Sequence, residues 1–150
     1  MSDDRLYGRR IGKPLSPRRA ALMADAYPRL VIDVAAPPLA DIAGLFPHHP
    51  AAVQVEIGFG GGEHLVAEAS RAPERGFPDR GLIGVEPFVN GMAKAVAAIA
   101  DGGLANVRLF GGDAARLLDW LPAHSVDTVD LLYPDPWPKK RHWKRRFVSP

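Results

Sequence analysis

One hundred and fifty residues, 47% of them hydrophobic, suffice for one modest packed domain and exclude a wholly disordered chain. Cysteine is absent, which excludes disulfides and thiolate metal sites, and no apolar run approaches the roughly 20 residues of a membrane span. The net charge of +2 is segregated: residues 1–19 hold six Lys/Arg and two Asp, residues 139–150 hold six Lys/Arg and no acid, and the body between them holds seven Lys/Arg and fifteen Asp/Glu.

An acidic body with two basic ends points to a polyanion touched by two arms. The start, Met1-Ser2-Asp3-Asp4, lacks the basic-then-apolar order of a signal peptide, so a cytoplasmic location is expected. Residues 1–50 read as a basic N-terminal arm and a Pro-rich connector. The arm carries Arg5, Arg9, Arg10, Lys13, Arg18 and Arg19 between Gly and Pro residues, and is expected to be mobile until it binds. Ser16-Pro17 is a helix start that predicts a short helix over 20–27. Pro28, Pro37, Pro38, Pro47 and Pro50 predict a connector without regular structure over 28–50.

Residues 51–150 read as the N-terminal part of an α/β domain. Strands are predicted at 52–57, 82–86, 106–110 and 128–133, and helices at 63–70, 91–100 and 114–121. Strands alternating with helices imply right-handed βαβ units and a parallel sheet.

The first strand runs into Glu56-Ile57-Gly58-Phe59-Gly60-Gly61-Gly62. Glycines there allow a sharp turn and close approach of a ligand, and a plain tight turn is the bland alternative. A dinucleotide fingerprint would want Gly where this chain has Glu63, and an acid at a helix N-terminus disfavours a pyrophosphate. A nicotinamide-dependent oxidoreductase is therefore the weaker alternative, and a cofactor without phosphates, S-adenosylmethionine, fits better. Glu86 ends the second strand and can accept from ribose hydroxyls; Asp113 follows the third and can accept from an adenine amino group. Either acid alone could simply cap a helix.

The fourth strand leads into Tyr133-Pro134-Asp135-Pro136-Trp137-Pro138 and then Lys139-Lys140-Arg141-His142-Trp143-Lys144-Arg145-Arg146. The prolines put Asp135 on a stiff loop at a strand's C-terminal end, where open α/β sheets place their chemistry. The six Lys/Arg that follow offer a grip for phosphates, and Trp137 and Trp143 either stack on bases or pack in the core. No His pair has metal-ligand spacing, and no metal is assigned.

EIGFGGG, GVEP, GGDA and above all PDPWPKKRHWKRR resemble the bacterial tRNA (guanine-N(7)-)-methyltransferases, over about residues 50–150. The resemblance implies a Rossmann-like class I methyltransferase sheet, here its first four strands and three helices, S-adenosyl-L-methionine as cofactor, and tRNA as partner, methylated on the guanosine at position 46. It implies cofactor-side roles for Glu56, Gly58, Gly60, Glu86, Asp113 and Asp135, with Asp135 also catalytic. It implies substrate contacts from Lys139, Arg141, His142, Trp143, Lys144, Arg145 and Arg146. Members of that family continue through further strands and helices, so the chain is expected to be an N-terminal fragment or a truncated reading frame. A non-catalytic RNA-binding fragment is accordingly an alternative to an active enzyme, and the fourth strand is expected to lie on an open edge.

Overall fold

The computed structural model describes residues 8–71, 79–132 and 138–145. Four strands, β1 (Ala52–Ile57), β2 (Arg80–Val85), β3 (Val107–Phe110) and β4 (Thr128–Leu131), form one parallel sheet in the order β3-β2-β1-β4. Val55 sits opposite Ile83 on one side and Val129 on the other. Among the described residues five α-helices accompany them: α1 (Pro17–Asp25), α2 (Tyr27–Leu30), α3 (Glu63–Ala69), α4 (Val89–Gly102) and α5 (Ala114–Trp120). The expected order of strands and helices holds from residue 52 onward. Ends shift by a residue or two, and Tyr133 lies outside the described residues.

Both faces of the sheet are covered, as a parallel sheet requires. On one face Leu82, Val107 and Leu109 pack with Leu65 and Ala69 of α3 and Met92, Ala95, Val96 and Ile99 of α4. On the other, Val53, Val55, Ile57, Ile83, Val85 and Phe110 pack with Ala114 and Leu117 of α5. Side chains alternate along a strand, so Gln54 and Glu56 of β1 point to the α3 face, and both are buried there.

The Pro-rich segment packs closely onto this sheet. It forms α2 and a 3-10 turn, Ile42–Leu45, whose N-cap Asp41 accepts from the Ala43 N–H at 3.0 Å. The Ile32 N–H donates to the Leu109 carbonyl at 2.9 Å, and Ile32, Ile42 and Phe46 join the core beside α5. Prolines forbid long regular elements, but they do not forbid one-turn helices or buried apolar side chains between them. That is why the expectation of a structureless connector fails.

The N-terminal helix α1, Pro17–Asp25, begins directly at Ser16-Pro17, three residues before the expected 20–27, and ends two residues short of it. Ser16 is the N-cap, with Oγ accepting from Arg19 N–H at 3.4 Å, and Pro17 opens the first turn. The residues before it, 8–13, are also placed, against the start of α4 rather than free. The mobile arm expected from composition is thus docked over its described part.

Candidate active site

β1 ends in Glu56 and Ile57, and the chain turns through five residues into α3. Gly58 and Gly60 adopt the left-handed region, with φ of 72° and 61°. A Cβ at either would meet no atom within 4 Å, so backbone conformation rather than crowding requires glycine, and the space over the loop is open. Glu86, just past β2, holds this loop. Its Oε2 accepts from the Gly60 N–H at 2.8 Å and its Oε1 from the Phe88 N–H at 2.9 Å. One carboxylate therefore ties the glycine loop to the entry of α4. The two segments also touch directly, because a Cβ on Gly91 would collide with the Gly60 carbonyl oxygen.

Asp113 is the N-cap of α5, accepting from the Ala115 N–H at 3.0 Å. The Glu86 N–H donates to the Phe110 carbonyl, which brings the end of β3 alongside the end of β2. Glu56, Gly58, Gly60, Glu86 and Asp113 thus share the C-terminal edge of the sheet, as the sequence pattern requires. Asp113 thus caps a helix, its alternative reading, whereas Glu86 is not the N-cap of α4, which is Phe88, and instead ties the glycine loop to the residues before that helix.

Glu56 stands apart. It is only 2% exposed, and its Oε2 accepts from His64 Nδ1–H at 3.0 Å. Burial pushes its carboxyl above the usual range, and the His64 contact partly opposes that shift. Glu56 is one of the expected site residues, but His64, Glu68 and Arg80 were not foreseen as belonging beside it. From His64 a polar chain continues across the sheet face. His64 Nε2 lies 3.9 Å from Glu68 Oε1, and Glu68 Oε2 pairs with Arg80 at 3.0 Å. Arg80 donates to Gln54 Oε1 at 2.6 Å, and Gln54 Nε2 donates to Asp130 of β4. Each buried polar group of β1 is thereby satisfied. The only signal for this network in the sequence is the His64/Glu68 i, i+4 spacing on α3.

Glu63, read as an obstacle to phosphate, opens α3 and forms an ion pair with Lys94 of α4. That pairing and its own backbone hydrogen bond hold its carboxyl below the usual range, so the acid at the helix start is charged. Tyr27 is a further unforeseen neighbour. A Cβ on Gly111, in the loop before Asp113, would lie 3.0 Å from its hydroxyl, and burial raises the phenol above its usual range.

The basic run forms a 3-10 helix, Lys140–Arg145, entered by a His142 N–H bond to the Lys139 carbonyl at 2.8 Å. Lys139, Lys140, Arg141 and Arg145 are exposed, while His142 is half-buried beside the Arg141 guanidinium. Lys144 and Trp143 lie on the same turn. Asp135, Trp137 and Arg146 fall outside the described residues. Among the described residues no group of three or more His, Asp or Glu is placed to hold a metal, and no helix is long and apolar enough to cross a membrane.

A parallel sheet in the order β3-β2-β1-β4, with helices on both faces and a left-handed glycine loop after β1, defines a Rossmann-like α/β protein. A family model described as "Putative methyltransferase" matches residues 50–150, and the chain belongs to that family. The chain is similar to the tRNA (guanine-N(7)-)-methyltransferases of Rhizobium meliloti (54% identical) and Rhodopseudomonas palustris strain BisA53 (56%), each over 143 residues and 95% of this chain. That of Brucella abortus strain 2308 is 53% identical over the same share. The matched region spans 60%, 55% and 59% of these relatives' own lengths. The resemblance read from the PDPWPKKRHWKRR string is borne out.

Proposed function

We propose that this chain serves methyl transfer from S-adenosylmethionine to N(7) of a guanine in tRNA, the guanosine at position 46. The observation that carries the reading is the Glu86 carboxylate, which spans the Gly60 and Phe88 N–H groups beside open space over the glycine loop. A carboxylate has about four acceptor sites, so two remain for ribose hydroxyls. The residues fit a cofactor without phosphates, because Glu63 brings negative charge to the start of α3.

S-adenosylmethionine, when bound, supplies an electrophilic methyl group on a sulfonium. Glu86 and the Gly58–Gly60 backbone would hold the nucleoside end, and Asp113 would accept from the adenine amino group. Glu56 and Asp135 complete the set of acids proposed on the cofactor side. Guanine N(7) carries no proton, so no general base is needed to uncover it. The protein's contribution is positioning and electrostatics. Asp135, four positions beyond the end of β4, accepts from the guanine ring N–H and amino group and offsets the charge that the ring gains. Lys139, Arg141, Lys144, Arg145 and Arg146 hold phosphates, which positions the tRNA without reading its sequence, and His142 and Trp143 offer rings for stacking. A tRNA substrate places the reaction in the cytoplasm.

Single-turnover methylation at saturating cofactor and tRNA, with the modified base identified, tests this. The expected product is N(7)-methylguanine. Asp135→Asn keeps the shape but turns an acceptor into a donor, and should slow the step by about 10²-fold with tRNA affinity little changed. Methylation at another atom, or none, would overturn the reading. A near-normal rate in Asp135→Asn would move the chemistry to another residue.

A further inference from the structure

The start of α4 is bonded to the N-terminal arm. The Gly12 N–H donates to Asn90 Oδ1 at 2.7 Å, and Asn90 Nδ2 donates to the Lys13 carbonyl at 2.6 Å. Beside this two-way contact the Val89 N–H donates to the Arg10 carbonyl at 2.8 Å. Phe88, the N-cap of α4, offers no side-chain cap, so the arm's carbonyl satisfies a helix N–H that would otherwise lack an intrahelical partner. The approach is close enough that a side chain at Gly12 would displace Asn90 or Phe88. A Cβ at Gly12 would lie 2.9 Å from Asn90 Oδ1 and 3.0 Å from the Phe88 ring.

This contact lies at the site's rim. Asn90 is flanked by Val89, which takes the arm, and Gly91, which presses on Gly60 of the glycine loop. Arg9, Arg10 and Lys13 are exposed along the docked segment. The basic run 139–145 follows β4, which pairs with β1 on the side opposite β2. In the strand order, the two cationic segments therefore belong to strand ends on either side of the β1 glycine loop. We propose that Asn90 is a clasp that fixes the arm at this rim, so that Arg9, Arg10 and Lys13 form a second surface for RNA phosphates beside the cofactor loop. The inference rests on the tRNA reading and adds to it the place and the fixing residue of the second contact. A fixed cationic segment binds better than a loose one of equal charge, because less conformational entropy is lost on binding.

The test uses the full chain, an unmodified tRNA transcript and a salt series, together with hydrogen exchange of residues 8–14. Arg9→Gln with Lys13→Gln should lower the salt slope of tRNA binding by about one to two units. Asn90→Ala and, independently, Gly12→Ala leave every cation in place. Both should lose amide protection over the arm and bind tRNA several-fold more weakly. An unchanged salt slope in the double variant, or unchanged tRNA affinity in an Asn90→Ala protein whose arm has lost protection, would overturn the clasp. A parent chain that binds no tRNA would instead overturn the tRNA reading itself, and the clasp with it.

Discussion

Glu56 is a carboxylate in a place built for apolar side chains. Its strand neighbours Val55 and Ile57 are core residues, and it faces α3 with almost no solvent contact. Burial raises its pKa, the His64 contact lowers it, and the nearby charges of Asp130 and Glu68 raise it further. The sign of the pH effect follows from the raised value. Stability from this group is fully present below its ordinary value of 4.5 and is lost as pH rises through the raised one. Replacing the acid by its neutral isostere should therefore help only where the acid is ionised. Glu56→Gln is expected to raise the melting temperature by about 2–5 °C at pH 7 and to change it little at pH 4. Thermal melts of both proteins at the two pH values check this, and an equal difference at each would mean that the ionised carboxylate is not strained by burial. A buried acid kept at a cost beside a ligand loop is the pattern of a binding site, which agrees with the cofactor-side role proposed for it. His64, which holds the acid, was not legible beforehand. It lies eight positions away across a turn, and only the left-handed glycines bring the two together.

At the scale of elements, the site depends on how closely α4 meets the glycine loop. Gly91 lies in the first turn of α4, where glycine ordinarily costs about 1 kcal/mol against alanine. On propensity alone Gly91→Ala should stabilise the chain. Its Cβ, however, would collide with the Gly60 carbonyl, which is backbone and has no rotamer to escape into. Overpacking of that kind costs about 1–3 kcal/mol, enough to outweigh the helix gain. Gly91→Ala should therefore lower the unfolding free energy by about 1–2 kcal/mol and weaken cofactor binding, because the Glu86 tie to Gly60 must lengthen. Denaturant melts and calorimetric titration with S-adenosylmethionine would check both effects; a stabilised variant of normal affinity would contradict this. The elements themselves were readable because strand and helix periods alternate cleanly after residue 51. The packing partners of β1 were not. Gln54 and Glu56 look like breaks in an apolar strand until Arg80, Asp130 and His64 arrive from β2, β4 and α3. Likewise, Pro spacing reveals where regular structure must be short, but not that Ile32, Ile42 and Phe46 reach the core.

At the scale of the molecule, charge is separated and the sheet has two unlike ends. The acidic residues gather in the body and the cations at both termini, and this was fully visible in the sequence because net charge needs no fold. The sheet's edges required the structure. At one end β3 is bridged by Val31 of the Pro-rich segment, which also accounts for the Ile32 N–H. At the other, β4 pairs with β1 and with no further strand among the described residues. Val129, opposite the fully buried Val55, is 51% exposed, and Leu118 of α5 is also exposed. An apolar strand edge with unpaired backbone groups is a template for association, and proteins usually blunt such edges with charge. Here the neighbouring charges do not serve that purpose. Asp127 accepts from the Val53 N–H at 2.8 Å, and Asp130 is engaged by Gln54 on the α3 face. The isolated 150-residue chain is therefore expected to self-associate through β4, in a concentration-dependent way. Val129→Lys places a charge in the middle of that edge. It sacrifices about half of one valine's burial, so its cost to stability should stay near 1 kcal/mol. Sedimentation velocity over a range of concentrations should show the parent chain shifting to larger species and Val129→Lys remaining smaller at equal concentration. A parent chain that sediments as a monomer throughout, or a variant that associates equally well, would show that this edge is not the contact.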